Sequence, residues 1–296
     1  MEISHGSKHN ESFFKNAVSA PSGLKLLMES RSLIELGSFF QALPGLRTMP
    51  KGDGHPVLVI PGFLTSDSIM LPLRWTLKNL GYKSEPWAYG TNRAFCPDIS
   101  AALEKRIVEL SEKTGQKVSI IGWSLGGVYA RHISQHIPEH IRTVITLGTP
   151  FSRNMTSGVA VKLYELWNGQ KLQKTPTELL DKIRKPLPIP YTSIYSKTDC
   201  IVAWQCSVCE LSSENVEHVE IKGSHLGLGF NPGALWVIAD RLAQPENEWQ
   251  PFSLLKIKKI RQGLQRAIMP HKLLHQKSFK LIHDFIVSQT HHSKIH

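Results

Sequence analysis

Nowhere do the 296 residues hold an apolar run approaching the roughly 18 needed to cross a bilayer as a helix. The first ten residues, Met1 to Asn10, are polar and lack the basic start and apolar stretch of a secretory signal. The expectation is a cytoplasmic protein without signal peptide or transmembrane segment. Cysteine is scarce, at four residues: Cys96, Cys200, Cys206 and Cys209. Cys206 and Cys209 form one CxxC with no second pair and no histidine at zinc spacing, which argues against a structural zinc site. A reduced set of thiols fits an intracellular chain better than a disulfide framework.

Acidic residues are missing from one end. Ser253 to His296 holds nine Lys or Arg against a single acid, Asp284, so this segment carries +8 of the total +11. The body is close to neutral, which removes the broad basic face that nucleic-acid binding needs. A hydrophobic content of 41% with 20% charged residues excludes a disordered or fibrous chain. The length suits a single α/β unit of about 200–250 residues with extensions at both ends.

Three parts emerge: an N-terminal helical extension over 1–50, a central α/β domain over 51–252, and a basic amphipathic tail over 253–296. In the extension, Leu24, Leu27, Met28, Leu33, Leu36, Phe39 and Phe40 recur at helical spacing and predict one or two amphipathic helices packed on the body. Val57 to Ile60 is a continuous apolar run after a Gly-Pro turn, as expected of a strand buried on both faces of a parallel sheet. Leu71 to Leu80 reads as a helix stopped by Gly81, Ser84 to Tyr89 as a strand, and Ile99 to about Lys113 as a helix capped by Asp98 and ended by Gly115. Further strands are expected at Val118–Ile121, Arg142–Leu147, Tyr191–Tyr195 and Val216–Ile221, with helices at Gly127–His136 and Ala234–Leu242. This alternation predicts a mostly parallel central sheet flanked by helices. The rhythm breaks at about 151–190, where an apolar segment (Val159, Val161, Leu163, Tyr164, Leu166, Trp167) leads to a proline-rich exit.

Chemistry is signalled at the end of the Val118 strand. Gly122-Trp123-Ser124-Leu125-Gly126 sits between a buried strand and a helix, so the chain must turn sharply at Ser124. Gly122 and Gly126 remove the Cβ atoms that would crowd that turn, and the helix N-terminus behind it favours negative charge. Ser124 is the expected nucleophile. A serine hydroxyl needs a base, and among 14 histidines His225 alone lies in a loop that follows a strand at the same sheet edge. His132, His136 and His140 lie on or beside the helix after Ser124, directed away from it. A carboxylate must orient the base. Asp199 follows the strand ending at Tyr195, whereas Asp181 lies in the interrupting segment and Asp240 inside the last helix. The backbone amides of Phe63, after Pro61-Gly62, and of Leu125 are the expected oxyanion donors. No metal and no cofactor is called for.

The stretches VLVIPGF, VSIIGWSLGGVYAR, VITLGTPF, SIYSKTDCIV and GSHLGLGFNP, in this order over roughly 55–245, resemble the α/β-hydrolase superfamily and its bacterial lipase- and esterase-like members. The resemblance implies an eight-stranded sheet, a Ser-Asp-His triad and ester hydrolysis through an acyl-enzyme. It also implies a cap where residues 151–190 interrupt the rhythm. Lipases commonly carry His-Gly where this chain has Pro61-Gly62, which keeps the amide donor. The expected function is cleavage of a lipid-like or other small carboxylic ester. An acyltransferase using the same acyl-enzyme, and a non-catalytic binding protein on the same fold, are the alternatives. Two readings stand for the tail: solvated faces of helices packed on their own domain, or peripheral contact with an anionic membrane surface through residues 253–296.

Overall fold

The computed structural model describes residues 27–46, 48–152, 177–208 and 213–253. Six strands form one sheet among these residues: β1 (Pro56–Ile60), β2 (Lys83–Glu85), β3 (Val118–Trp123), β4 (Ile141–Leu147), β5 (Tyr191–Tyr195) and β6 (Val216–Glu220). Their spatial order is β2-β1-β3-β4-β5-β6 and every pairing is parallel. The sheet is thus all-parallel with six described strands, not the eight that the resemblance implied. The expected cap falls mainly on 153–176, and the basic tail on 254–296; both lie outside the described residues, as does Leu24.

Because side chains alternate across a strand, each strand feeds two cores. Val57, Val59, Ile121, Trp123, Ile145 and Leu147 point to one face, covered by α1 (Ser32–Leu46), α2 (Leu71–Asn79) and α6 (Pro232–Leu242). Leu58, Ile60, Ile120, Val144 and Tyr191 point to the other, covered by α3 (Pro97–Thr114), α4 (Leu125–His136) and α5 (Thr177–Arg184). A 3₁₀ turn over Leu27–Arg31 leads into α1. Phe39, Ala42 and Leu46 anchor α1 to the body, while Leu33 and Ile34 on its outer side are each 73% exposed. Of the residues expected to pack on the body, Phe39 is buried and Leu36 partly so, whereas Leu27, Met28, Leu33 and Phe40 are exposed, and the buried stripe runs instead through Phe39, Ala42 and Leu46. No helix among the described residues is long and apolar enough to cross a membrane.

Two local expectations need correction. The strand expected over Ser84–Tyr89 ends at Glu85. Pro86 has no N–H for the ladder, and the amides of Trp87 and Ala88 turn away to donate to Asp67 Oδ1 and Oδ2 at 2.8 and 2.9 Å. Asp98 is not the cap of α3: the helix starts two residues earlier than expected, with Pro97 at its first position and Cys96 as N-cap. Proline suits that position because its missing N–H would have no helical partner there.

The strand N-termini are tied by a polar cluster at the edge opposite the Ser124 turn. Asp53 Oδ1 meets His55 Nδ1 at 2.5 Å, His55 Nε2 meets Ser119 Oγ at 2.8 Å, and Arg142 donates to Asp53 Oδ2 at 2.5 Å. Burial works to raise the Asp53 carboxyl, but hydrogen bonds from His55 and Arg142 outweigh it and hold it well below the usual carboxylate range. A depressed carboxyl stabilises the fold above its unfolded pKa and loses that contribution only as pH falls through the folded value. Asp53→Asn is expected to lower the thermal midpoint at pH 7 by about 2–4 °C, with the gap to wild type closing in strong acid. Calorimetry across pH reads both.

Candidate active site

The C-terminal ends of five neighbouring strands converge on one edge of the sheet, the position where open α/β sheets build their sites. Chain reversal after β3 is abrupt. Ser124 adopts φ 53° and ψ −119°, a region that non-glycine residues rarely enter. Its amide donates to Leu147 O at 2.8 Å, prolonging the ladder, and α4 begins at the next residue. The Ser124 side chain makes no capping hydrogen bond to that helix, so helix capping does not account for a serine here. Strained backbone of this kind costs on the order of 1–3 kcal/mol and persists where the surroundings enforce it.

The surroundings do enforce it. A Cβ on Gly122 would stand 2.5 Å from Gly126 O, and one on Gly126 would stand 2.3 Å from Ile60 O. Helix α4 is therefore pressed against the ends of β3 and β1. Gly62 lies against the turn, its Cβ position 3.2 Å from the Cβ of Ser124. Asn92, buried and not singled out from the sequence, donates from Nδ2 to Pro61 O at 2.8 Å, and its backbone carbonyl takes the Leu64 amide at 2.7 Å. The Pro61-Gly62-Phe63 loop is thereby braced beside Ser124. Phe63 is half-buried there, and Leu125 opens α4 on the other side.

His225 and Asp199 meet at this edge of the sheet. His225 Nδ1 and Asp199 Oδ2 are 2.6 Å apart, and both residues are buried. Asp199 Oδ1 accepts from the amides of Ile201 and Val202 at 2.8 and 2.7 Å. Burial pulls the imidazole pKa down, but the charge and hydrogen bond of Asp199, then the charge of Glu29, outweigh it and hold His225 above the usual histidine value. The pair is locked to the Ser124 turn by its neighbours. Trp123 Nε1 donates to His225 O at 3.1 Å, and the indole and imidazole centroids are 5.7 Å apart. Gly148, at φ 55° after β4, leaves room for the imidazole: a Cβ there would stand 2.9 Å from His225 Nδ1. Asp240 lies in α6, bonded to its neighbour Arg241.

Sequence reasoning missed a third layer of the site. The N-terminal segment sends Glu29, Arg31 and Glu35 into the loops that carry Asp199 and His225. Glu29 Oε1 accepts from the amides of Cys200 and His225 at 3.0 and 3.2 Å, and Oε2 from the Leu226 amide at 3.1 Å. Glu35 accepts from the Ser224 amide at 2.7 Å and the Ser224 hydroxyl at 3.0 Å. Arg31 donates to the carbonyls of Thr198 and Gly223. Burial pushes the Glu35 carboxyl above its usual range against the opposing pull of Ser224 and Arg31. One signal for this layer exists in the sequence: Glu35 falls in phase with the buried stripe Phe39–Ala42–Leu46, where a charged side chain has no solvent reason to be.

A metal-like constellation lies apart from this edge. Ligand atoms of Glu104, His132 and His136 fall within 4.8 Å of one another between α3 and α4. His136 Nδ1 is satisfied by Glu104 Oε1 at 2.9 Å and His132 Nδ1 by Ser100 Oγ at 3.0 Å, so the cluster is accounted for as a hydrogen-bonded helix contact. Burial, then the neighbouring His136 and Lys182, lowers His132 to about 4, which leaves that ring neutral at physiological pH.

Comparison with known proteins agrees with the architecture. The PGAP1-like alpha/beta domain family matches residues 99–225. No curated protein matches the sequence significantly. Among solved structures, Aspergillus fumigatus lipase B is similar with a TM-score of 0.51 at 18% identity, over 77% of this chain and 61% of that one. The Paleococcus ferrophilus monoacylglycerol lipase gives a TM-score of 0.48 at 15% identity, over 66% of this chain and 96% of that one. A lipase-esterase related protein from Clostridium acetobutylicum gives 0.48 at 15%, over 65% and 95%. The parallel sheet, the strand–Ser124–helix turn and the likeness to lipase B together give the chain an α/β-hydrolase fold, similar over residues 99–225 to the PGAP1-like alpha/beta domain.

Proposed function

We propose that the protein is a serine hydrolase that cleaves carboxylic esters through an acyl-enzyme on Ser124. The observation that carries this reading is the strained Ser124, uncommitted to its own helix, at the same sheet edge as the buried His225–Asp199 pair. Asp199 holds the His225 Nδ1 proton, which leaves Nε2 as the basic nitrogen. Nε2 takes the Ser124 proton as Oγ attacks the ester carbonyl. The oxyanion that forms is met by the amides of Leu125, the first of α4, and Phe63, on the braced loop beside Ser124. His225 then returns the proton to the leaving alcohol, and water repeats the sequence in reverse to free the acid. Neither metal nor cofactor has a part in these steps.

The test is a fluorophosphonate probe, which phosphonylates an activated serine, followed by p-nitrophenyl esters of increasing chain length. Wild type is expected to label and to turn over, and Ser124→Ala to do neither. Label retained in Ser124→Ala, or none in wild type beside a reactive control hydrolase, overturns the reading. Rate should rise with pH as His225 loses its proton, and the acid limb is expected above the ordinary histidine value of about 6.5, as its Asp199 and Glu29 partners require.

A further inference from the structure

We propose that Glu29 is a positioning residue of the active site, its carboxylate joining the loop that carries Asp199 to the loop that carries His225. This inference rests on the Ser124 hydrolase reading. The two loops follow different strands, β5 and β6, and past the sheet edge side-chain hydrogen bonds join them. Glu29 spans them: one oxygen takes the amide of Cys200, next to Asp199, together with the amide of His225 itself. Its other oxygen takes the amide of Leu226. A carboxylate 3% exposed is costly to bury unless its lone pairs are used, and here three backbone donors use them.

The rest of the segment repeats the arrangement. Arg31 bridges Thr198 O on one loop and Gly223 O on the other. Glu35 holds Ser224 by its amide and hydroxyl. Gly227 is shaped to receive it, since a Cβ there would stand 1.5 Å from Glu35 Oε2. Every residue from Gly223 to Leu226 is thus bonded to a side chain of residues 29–35. The Ser196 hydroxyl, which donates to Gly223 O at 2.7 Å, is a further cross-link between the loops. The segment is a clasp, and Glu29 is the member that touches both catalytic loops and the backbone of the base.

Glu29 also sets the field at the imidazole. The charged groups that face His225 are Asp199 directly and Glu29 behind it, with Arg31 and Glu35 held against the flanking Gly223 and Ser224. Glu29 adds to the pull of Asp199 that keeps the protonated ring favourable. Removing its negative charge must therefore lower the His225 pKa and move the acid limb to lower pH.

Glu29→Gln in the full chain is the test, since the amide matches the carboxylate in size. Its oxygen keeps the Cys200 and His225 amides, while its NH₂ faces the Leu226 amide, donor against donor. The expected result is a kcat lower by about a hundredfold, as for a displaced catalytic group, with KM within about twofold. The acid limb and the His225 imidazole titration read by NMR should both fall, by about one pH unit. A mere packing role would leave the limb and titration in place. Wild-type kcat together with an unmoved titration overturns the proposal. The NMR titration needs no turnover, so it decides on Glu29 even where Ser124→Ala shows the hydrolase reading to be wrong. Should Glu29→Gln not fold, amide hydrogen exchange in wild type decides. Strong protection of Cys200, His225 and Leu226 supports the clasp, and exchange at the rate of exposed amides overturns it.

Discussion

Asp199→Asn is expected to lower kcat by about four orders of magnitude while leaving the thermal midpoint nearly unchanged. The size of the effect follows from which atom becomes nitrogen. Asp199 Oδ1 accepts two backbone amides, from Ile201 and Val202, and Oδ2 alone faces His225 Nδ1. In asparagine the oxygen must stay with the two amides, because turning the group over would set an NH₂ against two donors. The NH₂ therefore points at His225 and requires Nδ1 to accept. The imidazole proton then moves to Nε2, the nitrogen that should take the proton of Ser124. The base is disabled by its tautomer with hardly an atom displaced. Ester turnover and calorimetry on the same preparation separate the two consequences. A loss of activity matched by a loss of stability would mean that Asp199 serves the loop and not the base. The His225 titration should also fall sharply, since Asp199 is the largest influence that raises it.

That the proposed nucleophile, acid and base, Ser124, Asp199 and His225, can be picked out in the sequence has a physical reason. Ser124 follows β3, a fully buried and largely apolar run that stands out from its surroundings, whereas Asp199 and His225 follow β5 and the half-buried β6, which show themselves by β-branched and aromatic residues. Once strands at Val118, Tyr191 and Val216 are recognised, a parallel sheet brings their C-terminal ends to one edge whatever the connections do. The clasp has no such signature. Glu29 and its amide partners are 171 to 197 residues apart. The partners are backbone N–H groups, which every non-proline residue carries, so no residue type announces the contact. Glu35, a glutamate on an amphipathic helix, reads as a solvated face, and only its phase against the Phe39–Ala42–Leu46 stripe argues otherwise, while Glu29 in the preceding 3₁₀ turn has not even that signal. The short β2 reads as a longer strand for a related reason. Trp87 and Tyr89 have strand-like side chains, but the Trp87 and Ala88 amides go to Asp67, 20 and 21 residues earlier. Propensity registers the side chain and says nothing about where the amide finds its acceptor.

Two helical glycines separate the demands of the site from those of the helix. Gly37→Ala in α1 places a Cβ where nothing lies within 4 Å, so relief of glycine's entropic cost should stabilise by up to about 1 kcal/mol. Gly126→Ala in α4 should do the opposite on a larger scale. Its Cβ would lie 2.3 Å from Ile60 O and 2.7 Å from Pro61 O, both backbone atoms of the β1 end that no rotamer change can clear. Either α4 or β1 must move by about 1 Å, in a core with no slack for it. The cost is expected at about 3 kcal/mol, a fall in thermal midpoint on the order of 6–12 °C. The displacement reaches function because Pro61 leads directly to Gly62 and Phe63, and α4 begins with Leu125. Moving one against the other spreads the two amides proposed to meet the oxyanion. Fluorophosphonate labelling of the folded protein should therefore slow by at least about a hundredfold, as for loss of one donor. Gly37→Ala should label at the wild-type rate. A Gly126→Ala protein with wild-type midpoint and labelling would show that α4 and β1 are not pressed together, and the enforced turn at Ser124 would lose its cause.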